Sequence, residues 1–185
     1  MSQSEARVPG FLAEVGVSRI VAVGLVVLTA LTLQTTVLAR LTLLGVIPQL
    51  VLVVVITLSW LEGERVGVTA GFLGGLLLDL QLPPASIVGL TALVYTAVGY
   101  GVGYFRQYSI GESVWSPVLA VAVGSMVAEW GYALLAILLG RAWVSLAFTA
   151  KVTGLGILYD SLLTPFIYPL LRLVSERFSP ERVYR

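Results

Sequence analysis

Val66 to Leu82 reads VGVTAGFLGGLLLDLQL, and the reading of this stretch decides the fold. It is an apolar helix carrying a row of glycines and one carboxylate. Gly67, Gly71, Gly75 and Asp79 recur every fourth residue, which puts them on one helix face. A glycine in a helix interior costs about 1 kcal/mol against alanine, so three on one stripe need a compensating cause. In lipid, apolar side chains gain little by leaving the bilayer for each other, whereas small residues let backbones touch. The stripe therefore marks a tight helix contact, either inside this chain or with another protein's helix. Asp79 in the same setting needs a polar partner or water.

The rest of the chain is of the same kind. Hydrophobic residues make up 58% and charged residues 11% of 185 residues, against about 25% charged in soluble domains. The formal net charge is +1, which gives no case for nucleic acid as a partner. The sequence has no cysteine and no histidine, which removes thiol nucleophiles, imidazole acid–base chemistry and the usual zinc sites. No nucleotide-binding loop, nucleophile elbow or HExxH string occurs. An enzyme is not expected, and neither a cofactor nor a metal is implied.

A spanning helix needs roughly 20 apolar residues. Working outward from the glycine stretch, six such runs are expected, at 18–38, 47–61, 66–82, 85–105, 114–139 and 153–174. The first run lacks a small-residue cleavage site and reads as a retained span. Pro48 opens the second and Trp60 closes it at an interface; Pro83 and Pro84 stop the third. Residues 142–150, with Trp143, Leu146 and Phe148, suggest an interfacial or re-entrant segment. The expected organisation is a cytoplasmic segment at 1–17, one transmembrane domain at 18–174 and a frayed cytoplasmic tail at 175–185. Placing the N-terminus inside puts Arg7, Arg19, Arg65, Arg106, Arg172, Arg177, Arg182 and Arg185 on the cytoplasmic side. Only Arg40, Arg141 and Lys151 then lie outside, the asymmetry expected of a cytoplasmic-membrane protein with both termini inside.

Four ionisable groups lie in or at the edges of these spans: Asp79, Glu129, Lys151 and Asp160. They are candidate intramembrane polar contacts. Pairs of Lys151 with Asp79 or Asp160 would lower the cost of burial, although nine residues separate Lys151 and Asp160, about half a turn of offset on one helix. Asp79 lies close to Pro83 and is expected where water reaches it, so Asp79→Asn is expected to be nearly neutral. A second small-residue row, Ala120, Gly124 and Ala128, runs along the fifth span. Either row is a candidate helix-packing or partner-binding face; we expect the Gly71 row to be internal and the Gly124 row to meet a partner. Val98-Gly99-Tyr100-Gly101 looks like a potassium-channel filter but sits at the end of an ordinary span, where a second glycine contact face explains it better.

Taken in order, these segments resemble the MreD family of the bacterial rod-shape machinery. The segments that carry the resemblance are Leu33-Gln34-Thr35-Thr36-Val37-Leu38, Ile47-Pro48-Gln49-Leu50-Val51-Leu52, Gly71-Phe72-Leu73-Gly74-Gly75-Leu76-Leu77-Leu78-Asp79, Gly89-Leu90, Gly99-Tyr100 and Tyr159-Asp160-Ser161-Leu162-Leu163-Thr164-Pro165. Two positions depart from the family's pattern: Gln49 replaces the usual acid, and Asp160 stands where an amide is more common. The resemblance implies an all-α integral membrane protein, a six-transmembrane-helix bundle similar to the substrate-binding subunits of energy-coupling-factor vitamin transporters. It implies a non-enzymatic scaffold that binds the bitopic protein MreC through its transmembrane and juxtamembrane stretch. Through MreC it implies an indirect link to the MreB filament and the glycosyltransferase and transpeptidase pair that builds peptidoglycan. The alternative it leaves is a vitamin-binding transporter subunit. Those subunits often carry an AxxxA docking face in span one, and here Val26 stands between Ala22 and Ala30.

Overall fold

The computed structural model describes residues 17–40, 46–81, 87–108, 115–140 and 146–178. These form six α-helices and no strand: α1 Val17–Thr36, α2 Leu50–Glu62, α3 Glu64–Gln81, α4 Leu90–Phe105, α5 Ser116–Leu138 and α6 Leu146–Phe178. Short 3-10 turns extend α1 at Leu38–Arg40 and α4 at Arg106–Tyr108.

The bundle is built around α2. Every residue from Leu50 to Ser59 is buried, and each of the other five helices packs against it. A helix apolar on all sides belongs in an interior, and LVLVVVITLS leaves no polar stripe that could face elsewhere. The outer helices show the reverse pattern. Val21, Leu25 and Leu28 on α1, Leu119, Val123 and Val127 on α5, and Leu158, Leu162 and Phe166 on α6 are all exposed. Exposed apolar area on that scale suits hydrocarbon and not water.

Among the described residues, three helical segments are long and apolar enough to cross a membrane: Arg19–Arg40, Ser116–Leu138 and Thr153–Arg177. The helix α2 is apolar but has only 13 residues, about 20 Å at 1.5 Å per residue against a hydrocarbon core of about 30 Å. Irregular backbone at membrane depth is tolerated where protein covers it, and α2 is covered on every side.

The glycine stripe of α3 is internal. A Cβ on Gly67 would collide with the backbone of Gly99, one on Gly71 with that of Tyr95, and one on Gly75 with that of Thr91 and Ala92. At the other end of the pair, Gly103 of α4 lies against Gly63 and Glu64. Backbone meets backbone along the α3–α4 pair, which is the most extensive helix contact among the described residues. Gly63 alone joins α2 to α3, at a φ of 95° that other residues adopt with strain. The filter-like string is helical, with Gly99 seated on Gly67.

Two expectations need correction. The row on α5 does not face outward: Gly124 and Ala128 are buried, and a Cβ on Gly124 would meet the Ile56 and Val98 side chains. The last helix is also longer than expected. It begins at Leu146, so 146–150 belong to α6 rather than to a separate interfacial segment, and it continues to Phe178 through Pro165 and Pro169. Residues 141–145 and 179–185 lie outside the described residues, as does the side chain of Lys151.

Candidate functional site

Helices α2 and α4 both begin without a side chain of their own to cap them. The residue before α2 is Gln49 and that before α4 is Gly89, and neither makes a side-chain cap. A helix start leaves four N–H groups without intrahelical partners, and burying one unpaired costs about 1–3 kcal/mol. Other helices supply the acceptors.

For α4 the supplier is Asp79, on α3. Its Oδ2 accepts the N–H groups of Gly89 at 2.8 Å and Ala92 at 3.1 Å, and its Oδ1 accepts that of Thr91 at 3.3 Å. The negative carboxylate also sits where the helix dipole is positive. Asp79 is only 1% exposed. The expectation that water reaches it is therefore wrong, because the start of α4 closes over it. Of the partners considered for Asp79, residues 82–86 and the Lys151 side chain lie outside the described residues.

For α2 there are two suppliers. Asp160, on α6, accepts the Gln49 N–H at 3.0 Å through Oδ1. Gln34, on α1, accepts the Val51 N–H at 2.9 Å through Oε1. Asp160 also takes the Ser125 hydroxyl at 2.8 Å through Oδ2, tying α5 to the same point. This carboxylate is 1% exposed and both its oxygens are engaged.

The Gln49 side chain, free of capping duty, links the remaining polar groups. Its amide donates to Glu129 on α5 through Nε2, and its Oε1 accepts the Tyr95 hydroxyl at 2.7 Å. The structure thus brings Asp160 and Glu129 together around Gln49, with Asp79 behind Thr91 on the neighbouring helix start. Beside them opens a cleft of about 510 Å³, lined by Gln34, Thr35, Ala39, Ile47, Gln49, Leu78, Gln81, Thr91, Tyr95, Ala128, Glu129 and Tyr132. It lies where α1 and α3 end and α2 and α4 begin.

Four of these groups lie in segments that carry the resemblance to a family. Gln34 is in LQTTVL, Gln49 in IPQLVL, Asp79 in GFLGGLLLD and Asp160 in YDSLLTP. The family model for rod shape-determining protein MreD matches residues 17–174. The chain belongs to the MreD family. It is a membrane protein of a family with a role in determining rod shape. No curated protein and no solved structure gives a match to the chain.

The family motifs read here as the capping set of two buried helix starts. At position 160 an amide would still offer one oxygen to Gln49 N–H. At position 49 the side chain does not serve the helix start at all, so an acid in place of Gln49 would leave the cap of α2 unaffected. Gln34, Tyr95, Gln81 and Tyr132 were not among the expected site residues. Their signal was polarity inside or beside an apolar run at the same end of the bundle, which alternating helices bring together.

Proposed function

We propose that this chain is a non-enzymatic scaffold subunit of the bacterial elongation machinery, and the family match over 17–174 carries that reading. In it the chain crosses the cytoplasmic membrane six times with both termini inside, as the arginine asymmetry suggests. It holds the transmembrane and juxtamembrane stretch of MreC, and so supports peptidoglycan synthesis by the glycosyltransferase and transpeptidase pair alongside MreB. Both small-residue rows are spent inside the bundle, so MreC docks on an outer apolar face of α1, α5 or α6. Co-purification of MreC with the chain from its native membrane, together with loss of rod shape on depletion, tests this reading; normal rods without the chain would overturn it. Labelling of single cysteines placed at Ser2 and Arg185 tests the topology, and reaction of either from outside intact cells would sink it.

One observation favours a second reading, a small-molecule-binding subunit similar to those of energy-coupling-factor transporters. Such a subunit encloses a ligand-sized pocket with a few convergent polar groups, and the cleft at Gln49 has that size and lining. The missing AxxxA face in α1 argues the other way. Native mass spectrometry decides: a stoichiometric molecule other than lipid favours the second reading.

A further inference from the structure

We propose that the cleft at Gln49 binds a primary ammonium group, with Glu129 as its counter-ion. The inference goes beyond the scaffold reading and stands whether or not MreC binds. A cleft of about 510 Å³ lies inside the range of about 300–1,000 Å³ typical of small-ligand sites. Its described lining holds one carboxylate and no lysine or arginine; Arg40, next to Ala39 at the rim, is exposed and is not part of the lining. Among the described residues a phosphate or carboxylate ligand would therefore meet a like charge and no counter-charge.

The network also fixes how the Gln49 amide is turned. Tyr95 donates to Gln49 Oε1, so the amide turns its Nε2 to Glu129 Oε1. Among the described residues the second Glu129 oxygen accepts no hydrogen bond. A carboxylate at membrane depth is costly unless it is paired, and a neutral amide alone is a weak match for it. Asp160 and Asp79, each 1% exposed, lie just behind Gln49 and Thr91 and add negative potential. Tyr95 and Tyr132 are also in the lining, and aromatic rings near a cation attract it.

An ammonium group can come from a water-soluble amine or from the headgroup of an aminophospholipid, and the test separates the two. The full-length protein is placed in nanodiscs of phosphatidylcholine alone and melted with ethanolamine, with 2-phenylethylamine, and with the N-acetyl derivative of each. A parallel set of discs contains phosphatidylethanolamine. The expected result is a saturable rise in melting temperature with a free amine or in the aminophospholipid discs, none with the acetylated compounds, and loss of the rise in Glu129→Gln. The arm that shows the rise names the source. No rise in either arm, an equal rise with the acetylated compounds, or a rise that survives in Glu129→Gln overturns the proposal. Should Glu129→Gln fail to fold, the contrast between amine and acetylated amine on the unaltered protein decides alone.

Discussion

Asp160 accepts the main-chain N–H of Gln49 at 3.0 Å, across 111 residues of chain. The bond closes the start of the buried central helix with a side chain from the last helix. Its second oxygen holds Ser125, so one carboxylate fastens α2, α5 and α6 at a single point.

Replacing Asp160 therefore separates geometry from charge. Asp160→Ala strips the acceptor from two buried donors, and each orphaned group costs about 1–3 kcal/mol. Asp160→Asn keeps an oxygen for Gln49 N–H and turns an NH₂ to Ser125, whose hydroxyl can accept. The alanine variant should melt far below the wild type in detergent, with the asparagine variant close to it. Equal losses would show that the charge, and not the acceptor, matters.

Asp79 should behave differently. Among the described residues it faces three N–H donors and no acceptor. In Asp79→Asn one oxygen is replaced by an NH₂ that points at N–H groups, and the attraction to the helix dipole is lost. Loss of a hydrogen bond from a buried donor to a charged acceptor is worth about 1.5–3 kcal/mol. We expect Asp79→Asn to lower the melting temperature clearly more than Asp160→Asn does. A neutral result would mean that water or another group replaces the missing acceptor.

Gln34 tests the second cap of α2. Gln34→Leu leaves Val51 N–H without its acceptor, and the expected loss is about 1–3 kcal/mol. Gln34→Glu keeps the acceptor, so it should hold the cap while adding a charge to the cleft. Hydrogen exchange at Val51, faster in the leucine variant and unchanged in the glutamate variant, reads the cap directly.

How much of this was legible in the sequence follows from what periodicity encodes. Apolar runs end where polar or helix-breaking residues stand, so the run expected at 66–82 appears as Glu64–Gln81 and that at 114–139 as Ser116–Leu138. The start of α6 was misplaced because Ala142–Ala150 has interfacial composition, yet from Leu146 onward it continues the helix. The row of Gly67, Gly71 and Gly75 announced a close contact, but nothing in it named α4 as the neighbour. The site was legible only as a set of polar residues in apolar runs. Which of them meet depends on the rotation of each helix about its axis, and a uniformly apolar helix such as α2 carries no pattern that fixes that rotation. Asp79 reads as near water because Pro83 is close in sequence; that Gly89 lies over it is a tertiary fact.

The two small-residue rows give the last prediction, because they are internal in different ways. At Gly71 an added Cβ meets the main chain of Tyr95, and the α3–α4 backbones cannot move apart without breaking the contacts at Gly67 and Gly75. At Gly124 the obstacles are the Ile56 Cδ1 at 2.7 Å and Cγ1 at 3.1 Å, side-chain atoms that can shift more readily than main chain. At Gly101 nothing lies within 4 Å, so alanine there gains helix propensity, about 1 kcal/mol. Overpacking in a core costs about 1–3 kcal/mol or more. The alanine variants should therefore melt in the order Gly71→Ala lowest, Gly124→Ala intermediate, and Gly101→Ala at or above the wild type. Gly124→Leu should lower the melting temperature of the isolated protein as well, since its Cβ points into the bundle. If Gly124→Leu instead melts normally and only loses MreC, the row on α5 faces a partner after all and the packing of α5 on Ile56 is wrong.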